Sequence, residues 1–336
     1  GERHTCGVKQ DLSLWCWGRN NRGQIGNGVM DTIETSPVQV GSSNTWLNVS
    51  PGWSHTCAID TTKRLWCWGR NDVGQLGLGD VTERLTPTQV GTATDWKSVT
   101  LSSFSTCGIR TTDELYCWGS NVAGELGLGD TANRLVPVQV NGSWRNVDGG
   151  GRFFCAITDT QSLRCWGSNV SGQLGDDTTS DRSTPTPVYM RFSGAPFPAV
   201  PEADVQWTTV TAGTGHTCGL YDYSGPETAT ADLACWGSNS RGQLALSSQV
   251  QVFERASINR GAGGGAWSDG WTRITAGGRH TCGVQDGALK CWGANDDGQL
   301  GDLTTTDRFV PGSVAIPDGW VGISAGFAHT VGTRNT

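Results

Sequence analysis

The triplet Cys-Trp-Gly returns six times, beginning at Cys16, Cys67, Cys117, Cys165, Cys235 and Cys291. A chain that repeats one short unit must bury each copy against its neighbours, so it folds as an array or a closed ring. A second cysteine precedes each triplet, at Cys6, Cys57, Cys107, Cys155, Cys218 and Cys282, usually inside a His-Thr-Cys-Gly-like run. After each triplet comes an Asn-x-x-Gly-Gln-Leu-like loop, as in Arg19 to Ile25 and Ala294 to Leu300. Most repeats then carry Pro-x-x-Val, as in Pro37 to Val40 and Pro137 to Val140. The unit closes on a tryptophan and a short strand: Trp46 with Val49, Trp96 with Val99, Trp144 with Val147, Trp207 with Val210, Trp271 with Ile274 and Trp320 with Ile323.

Each unit therefore supplies four short extended segments separated by Gly, Asn, Asp and Pro, with no helical period between them. Four antiparallel strands per unit make a propeller blade. The fold class expected is all-β: a closed propeller of four-stranded antiparallel blades, six by the cysteine count and seven as the alternative. The N-terminus lacks a Trp-x-x-Val strand, so Trp320 to Gly326 is expected to close the ring by completing the blade that holds His4 to Val8. A single domain over 1–336 follows, with repeats at about 1–51, 52–102, 103–150, 151–213, 214–277 and 278–326 and a tail at 327–336, in which Phe327 to Gly332 starts a seventh His-Thr segment with Val331 where cysteine should be.

The cysteine pairs read as disulfides within hairpins. In the sixth repeat, Asp286-Gly287 is a strong two-residue turn signal, and pairing outward from it sets Cys282 opposite Cys291. The same logic predicts Cys6–Cys16, Cys57–Cys67, Cys107–Cys117, Cys155–Cys165 and Cys218–Cys235. The small residue after each first cysteine (Gly7, Ala58, Gly108, Ala156, Gly219, Gly283) is expected to make room for the Cys-Trp-Gly indoles between blades. A disulfide framework points to an oxidising setting: extracellular, periplasmic or at the cell surface. The chain starts at Gly1 rather than Met, which reads as a processed or trimmed chain with any export signal already removed.

Composition narrows the partners. The balance of 24 Lys+Arg against 31 Asp+Glu gives −7, with no basic run longer than two residues, so nucleic acid is not an expected partner. No apolar stretch is long enough to span a bilayer as a helix.

The Gly-His-Thr, Trp-Gly-x-Asn and Gly-Gln-Leu-Gly pattern resembles the repeat of the regulator of chromosome condensation family over essentially the whole chain. The resemblance implies a propeller, usually of seven blades. Its members include a nuclear exchange factor, a plant ultraviolet photoreceptor and a bacterial β-lactamase inhibitor. The paired cysteines depart from the nuclear members and look like secreted bacterial versions. Such a scaffold carries many functions, so fold transfers and function does not. Only Trp53 stands two residues before a motif histidine, so a clustered chromophore is not expected, and nothing marks exchange-factor contacts.

Catalytic chemistry finds little purchase. All five histidines (His4, His55, His216, His280, His329) sit at the repeat position, where Ser105 and Phe153 replace them in two copies. They read as structural, and no enzyme is predicted. The Gly-Gln/Glu-Leu-Gly-x-Gly-Asp loops lack the Lys-Ser/Thr and helix of a phosphate cradle. Asn295 to Gly298 with Asp302 reads as turn chemistry rather than a calcium site, and a cysteine hairpin offers zinc only two ligands. No cofactor and no metal are expected.

Function is then sought where repetition breaks. Successive triplets are spaced 51, 50, 48, 70 and 56 residues apart. The excess falls in Tyr189–Gln206, Tyr221–Asp232 and Asn259–Gly270, which up-and-down strand order places on one rim beside the fifth blade. Tyr189, Phe192, Phe197, Tyr223 and Trp267 are candidate ligand-binding anchors, with Arg191 and Arg260 orienting at the edge. The expected function is an extracytoplasmic module recognising a protein or cell-surface ligand. A structural subunit of an envelope or extracellular assembly, packing on other subunits, is the alternative; a propeller hydrolase or lyase is less favoured.

Overall fold

The computed structural model describes residues 1–31, 33–189, 204–223, 232–246, 252–257, 270–316 and 319–334. These residues form antiparallel sheets arranged as blades around a central channel, with no α-helix among them. Each full blade runs in the order the repeat dictates. The second blade, for example, pairs Trp46–Pro51, His55–Asp60, Leu65–Gly69 and Arg84–Gln89 in sequence. Among the described residues five blades have four strands and the first has three (His4–Val8, Leu14–Arg19, Ile33–Gln39). With six disulfides these are the six blades that the triplets announce.

The cysteine register is as expected. Cys57 lies directly opposite Cys67 and Cys282 opposite Cys291, and all six predicted disulfides are present with Cα atoms 4.1 Å apart. Asp286 and Gly287 both have positive φ (50° and 81°), the geometry of the two-residue turn that Asp-Gly favours.

The tryptophans divide the work differently from expectation. Gly108, Gly219 and Gly283 make room for the first-strand indole of their own blade, since a Cβ there would stand 2.5–2.6 Å from Trp96, Trp207 or Trp271. The cause is an irregularity in the first strand: the register shifts between Trp96 and Ser98, which carries the ring over the glycine opposite Val99. The Cys-Trp-Gly indoles instead reach the preceding blade. Trp68 donates Nε1–H to the Gln24 carbonyl at 3.0 Å, Trp118 to Gln75, Trp166 to Glu125, Trp236 to Gln173 and Trp292 to Gln243. All five are fully buried, and each stands 5.7–6.2 Å from the first-strand indole of its own blade.

A second belt joins the blades through histidine. His4 Nε2 meets the Thr56 hydroxyl at 2.9 Å, His55 meets Thr106, His216 meets Thr281 and His280 meets Thr330. Each of these threonines spends its one hydroxyl hydrogen on a loop carbonyl (Gln24, Gln75, Gln243, Gln299). The imidazole must therefore be the donor, which fixes the Nε2–H tautomer and leaves Nδ1 a bare, buried acceptor. Burial holds these rings far below the ordinary histidine pKa: His55 and His216 at about 3 and His280 at about 4. The rings lie beneath the inner turns, where a Cβ on Gly52 would stand 2.8 Å from His55.

The belt is missing at two successive junctions, where Ser105, Phe153 and Phe154 replace His and Thr. There Asp148 bridges both neighbours. Its carboxylate accepts from the Thr100 hydroxyl of the third blade at 3.1 Å and from the Ala212 N–H of the fifth at 2.9 Å. Burial in the channel wall raises its pKa.

C-terminal residues close the ring, by a route the sequence reading did not anticipate. Trp320–Ala325 pairs with Thr330–Arg334, inside the expected tail, rather than with His4–Val8. This hairpin stands between the sixth blade and the first. Phe327 N–H donates to the Gly1 carbonyl at 3.1 Å, and His329 Nε2 lies 3.0 Å from the Thr5 hydroxyl, so His329 continues the belt. The pairing follows from the His-Thr segment at 329–330, which folds against its own first strand as every other copy does.

Candidate binding surfaces

Strand register locates the three interruptions. Val205, which opens the strand Val205–Ala212, pairs with Tyr223, which ends His216–Tyr223; Tyr221 pairs with Asp232, which opens Asp232–Gly237. The strand ends flanking the first two insertions are thus adjacent. The strand Trp271–Ala276, which follows the third, begins on the same rim. Both Val205–Ala212 and His216–Tyr223 are eight residues long, so the fifth blade stands taller here than its neighbours.

Of the candidate anchors, Tyr189 is described: it is 48% exposed and donates its backbone N–H to the Gly175 carbonyl at 3.1 Å. Tyr223 ends its strand at the rim. Arg191, Phe192, Phe197, Arg260 and Trp267 lie outside the described residues. The ends of the first two expected insertions belong to strands: Val205 and Gln206, Tyr221 to Tyr223, and Asp232; the Tyr221 ring is buried 5.2 Å from Trp207.

The opposite rim carries a cluster that sequence reasoning passed over. Trp53, 37% exposed, packs on Phe104 with ring centroids 4.9 Å apart, and the Arg70 and Arg152 guanidiniums lie 5.0 and 5.5 Å from the Phe104 ring. Arg70 also clamps Asp72 through two nitrogens, and those bonds hold the Asp72 carboxyl below its usual range. Trp53 was noticed as an isolated motif residue; Phe104 carried no signal, since it contacts Trp53 only once two blades are adjacent. Beside this cluster the channel opens in a cavity of about 160 Å³, lined mainly by the small residues of the inner turns and by Trp53 and Phe327.

The Asn295 and Asp302 side chains of the sixth-blade Gly-Gln-Leu loop are occupied within that blade, whereas Asp296 is held by Arg241 of the fifth blade. Asn295 accepts the Leu300 N–H, and its amide reaches Asp302 and the Thr304 carbonyl. Asp302 also accepts from Thr304 and pairs with Arg308. This is the turn chemistry expected there.

The sequence profile of the regulator of chromosome condensation (RCC1) repeat matches residues 13–59, 64–109, 112–157, 165–220 and 286–332, and a second profile of the same repeat matches 1–24, 48–75, 96–125 and 144–173. The chain belongs to the RCC1 repeat family. Among curated RCC1-repeat relatives it is 40% identical over 86 residues to the ultraviolet-B receptor UVR8 of Arabidopsis thaliana, covering 25% of this chain and 19% of the receptor. It is 35% identical over 81 residues to human protein RCC2, covering 24% and 16%. The matched stretch thus spans less than a fifth of either relative. Among solved structures, yeast RCC1 (Prp20) bound to Kap60 superposes on all of this chain and 79% of its own, with a TM-score of 0.79 at 16% identity. At that identity the likeness is one of fold.

Proposed function

We propose that this RCC1-repeat propeller is a binding module that recognises a protein or cell-surface ligand through the rim of Tyr189–Gln206, Tyr221–Asp232 and Asn259–Gly270, in an extracytoplasmic setting. The observation that carries the reading is the coincidence of three independent insertions on one rim around one blade, while the remaining repeats keep nearly constant length. Neutral drift would scatter them over both rims. Six disulfides favour an oxidising compartment. A binding role also accords with the yeast fold relative, whose complex with Kap60 is a protein–protein complex. Each buried histidine is committed to inter-blade bonding, which argues for a scaffold and against acid–base catalysis.

A second reading places the contact on the opposite rim, favoured by the exposed Trp53 packed on the partly buried Phe104 with its two arginines, a composition typical of interface anchors. Photo-crosslinking amino acids at Tyr189 and Phe192, compared with Trp53, distinguish the two. The first reading expects one discrete adduct from Tyr189 and Phe192 alone; an adduct from Trp53 alone overturns it in favour of the second.

A further inference from the structure

Every blade ends on its fourth strand, and among the described residues no strand pairs with the far edge of any of them. Such an edge offers main-chain N–H and C=O groups to any extended polypeptide, and proteins blunt it with proline and with charge.

In five of the six fourth strands the blunting falls at one register. Cys16 pairs with Val38, Cys67 with Thr88, Cys117 with Val138, Cys165 with Thr186 and Cys291 with Gly312. The residue before each of these fourth-strand partners is proline: Pro37, Pro87, Pro137, Pro185 and Pro311. Proline has no N–H, so these blades join their third and fourth strands without a donor at that position. Four of them also carry an arginine opposite the third-strand glycine (Arg84, Arg134, Arg182 and Arg308), each paired with an aspartate of its own loop.

The fifth blade has lost both features. Its fourth strand, Val252–Ser257, keeps the register, with Cys235 opposite Ala256 and Gly237 opposite Val252. Arg255 therefore stands at the proline position and Val252 at the arginine position. No proline occurs anywhere between Pro226 and Pro311, so no shift of register would restore one. The N–H of Arg255 is a donor that the repeat does not need for its own ladder.

We propose that the outer edge of Val252–Ser257 is a strand-addition site for an extended segment of a partner protein, paired antiparallel, with an acidic residue opposite Arg255 and a basic one opposite Glu254. Main-chain bonds supply the affinity, and the crossed charges set the register. The same two charges argue against a second copy of this chain as the occupant. Two-fold antiparallel pairing centred on this strand sets Arg255 opposite its own symmetry mate, or Glu254 opposite its mate, and like charges directly opposite destabilise a ladder. The strand leads toward the insertion rim, since Ser257 stands just before Asn259. The proposal rests on the missing proline and arginine, however, and needs no contact at Tyr189 or Phe192.

The test titrates the whole chain into a fluorescein-labelled peptide, Thr-Val-Asp-Lys-Val-Thr, which sets Asp opposite Arg255 and Lys opposite Glu254. Anisotropy should report saturable one-to-one binding, and amide exchange at Arg255 should slow when the peptide is present. Arg255→Pro restores the residue the other blades carry, so the melting temperature should hold while binding weakens by ~10-fold or more. Arg255→Thr keeps the N–H and removes only the charge, and should weaken binding by ~3-fold. Crosslinking at Tyr189 should be unchanged in Arg255→Pro, which separates failure at this edge from failure at the insertion rim. Absence of saturable binding, equal binding by the Arg255→Pro chain, or a lowered melting temperature in that variant would each overturn the proposal. So would a dimer of the chain that Arg255→Pro abolishes, because the edge would then belong to a second copy.

Discussion

Acidification from pH 7 to pH 5 should destabilise the ring through its buried histidines. An unfolded histidine titrates near 6.5, whereas His55 and His216 are held at about 3, His280 at about 4 and His4 well below its ordinary value, in each case chiefly by burial. A depressed native pKa means that the unfolded chain binds protons first. The contribution is complete above about pH 6.5 and is lost as the pH falls toward the native values. At pH 5 each ring forfeits about 2 kcal/mol, and four together about 8 kcal/mol, comparable to the whole stability of an ordinary domain. His329 is partly exposed and is left out of that sum. Asp148 acts in the opposite sense, since its raised pKa lets the native state take up a proton early, but it is one group against four. Denaturant titrations at half-unit pH steps should show stability falling by about 5 kcal/mol per pH unit near pH 5, equivalent to uptake of nearly four protons on unfolding. His55→Gln retains an N–H donor toward Thr106 and should reduce that uptake by about one. An uptake below about two protons, or native imidazole resonances titrating near pH 6.5, would refute the tautomer and burial argument.

Other expectations follow from the same contacts. Asp148→Ala should cost about 2 kcal/mol in urea unfolding, more than Thr275→Ala, because Asp148 alone bridges the two junctions without a His–Thr bond; equal costs would contradict that role. Trp68→Ala should cost about 3–5 kcal/mol, and Trp17→Ala distinctly less, because Trp17 is only partly buried whereas Trp68 is fully buried.

The sequence disclosed what is local and repeated. Turn chemistry at Asp286-Gly287 set the cysteine register, and the return of the unit set the blade. It misassigned what depends on neighbours in the ring. The space beside Gly108 belongs to Trp96 because of a strand irregularity that no residue pattern encodes. The closing strand pairs with Thr330–Arg334 because Val331 replaces cysteine without changing the strand's backbone pairing; the His-Thr start of that segment was visible, but the cysteine count assigned Trp320 to Gly326 to the first blade instead. Trp53 and Phe104 lie 51 residues apart and meet only across a blade boundary. The insertion rim was legible because breaks in spacing are countable, whereas the conformations of inserted loops are not fixed by the repeat.

The most direct measurement is the affinity of the partner captured at Tyr189 for the intact chain and for the double variant Phe192→Ala/Trp267→Ala. The account predicts weakening of ~30-fold or more, about 2 kcal/mol, with an unchanged melting temperature. Undiminished affinity in that variant, with loss on Trp53→Ala instead, would contradict it.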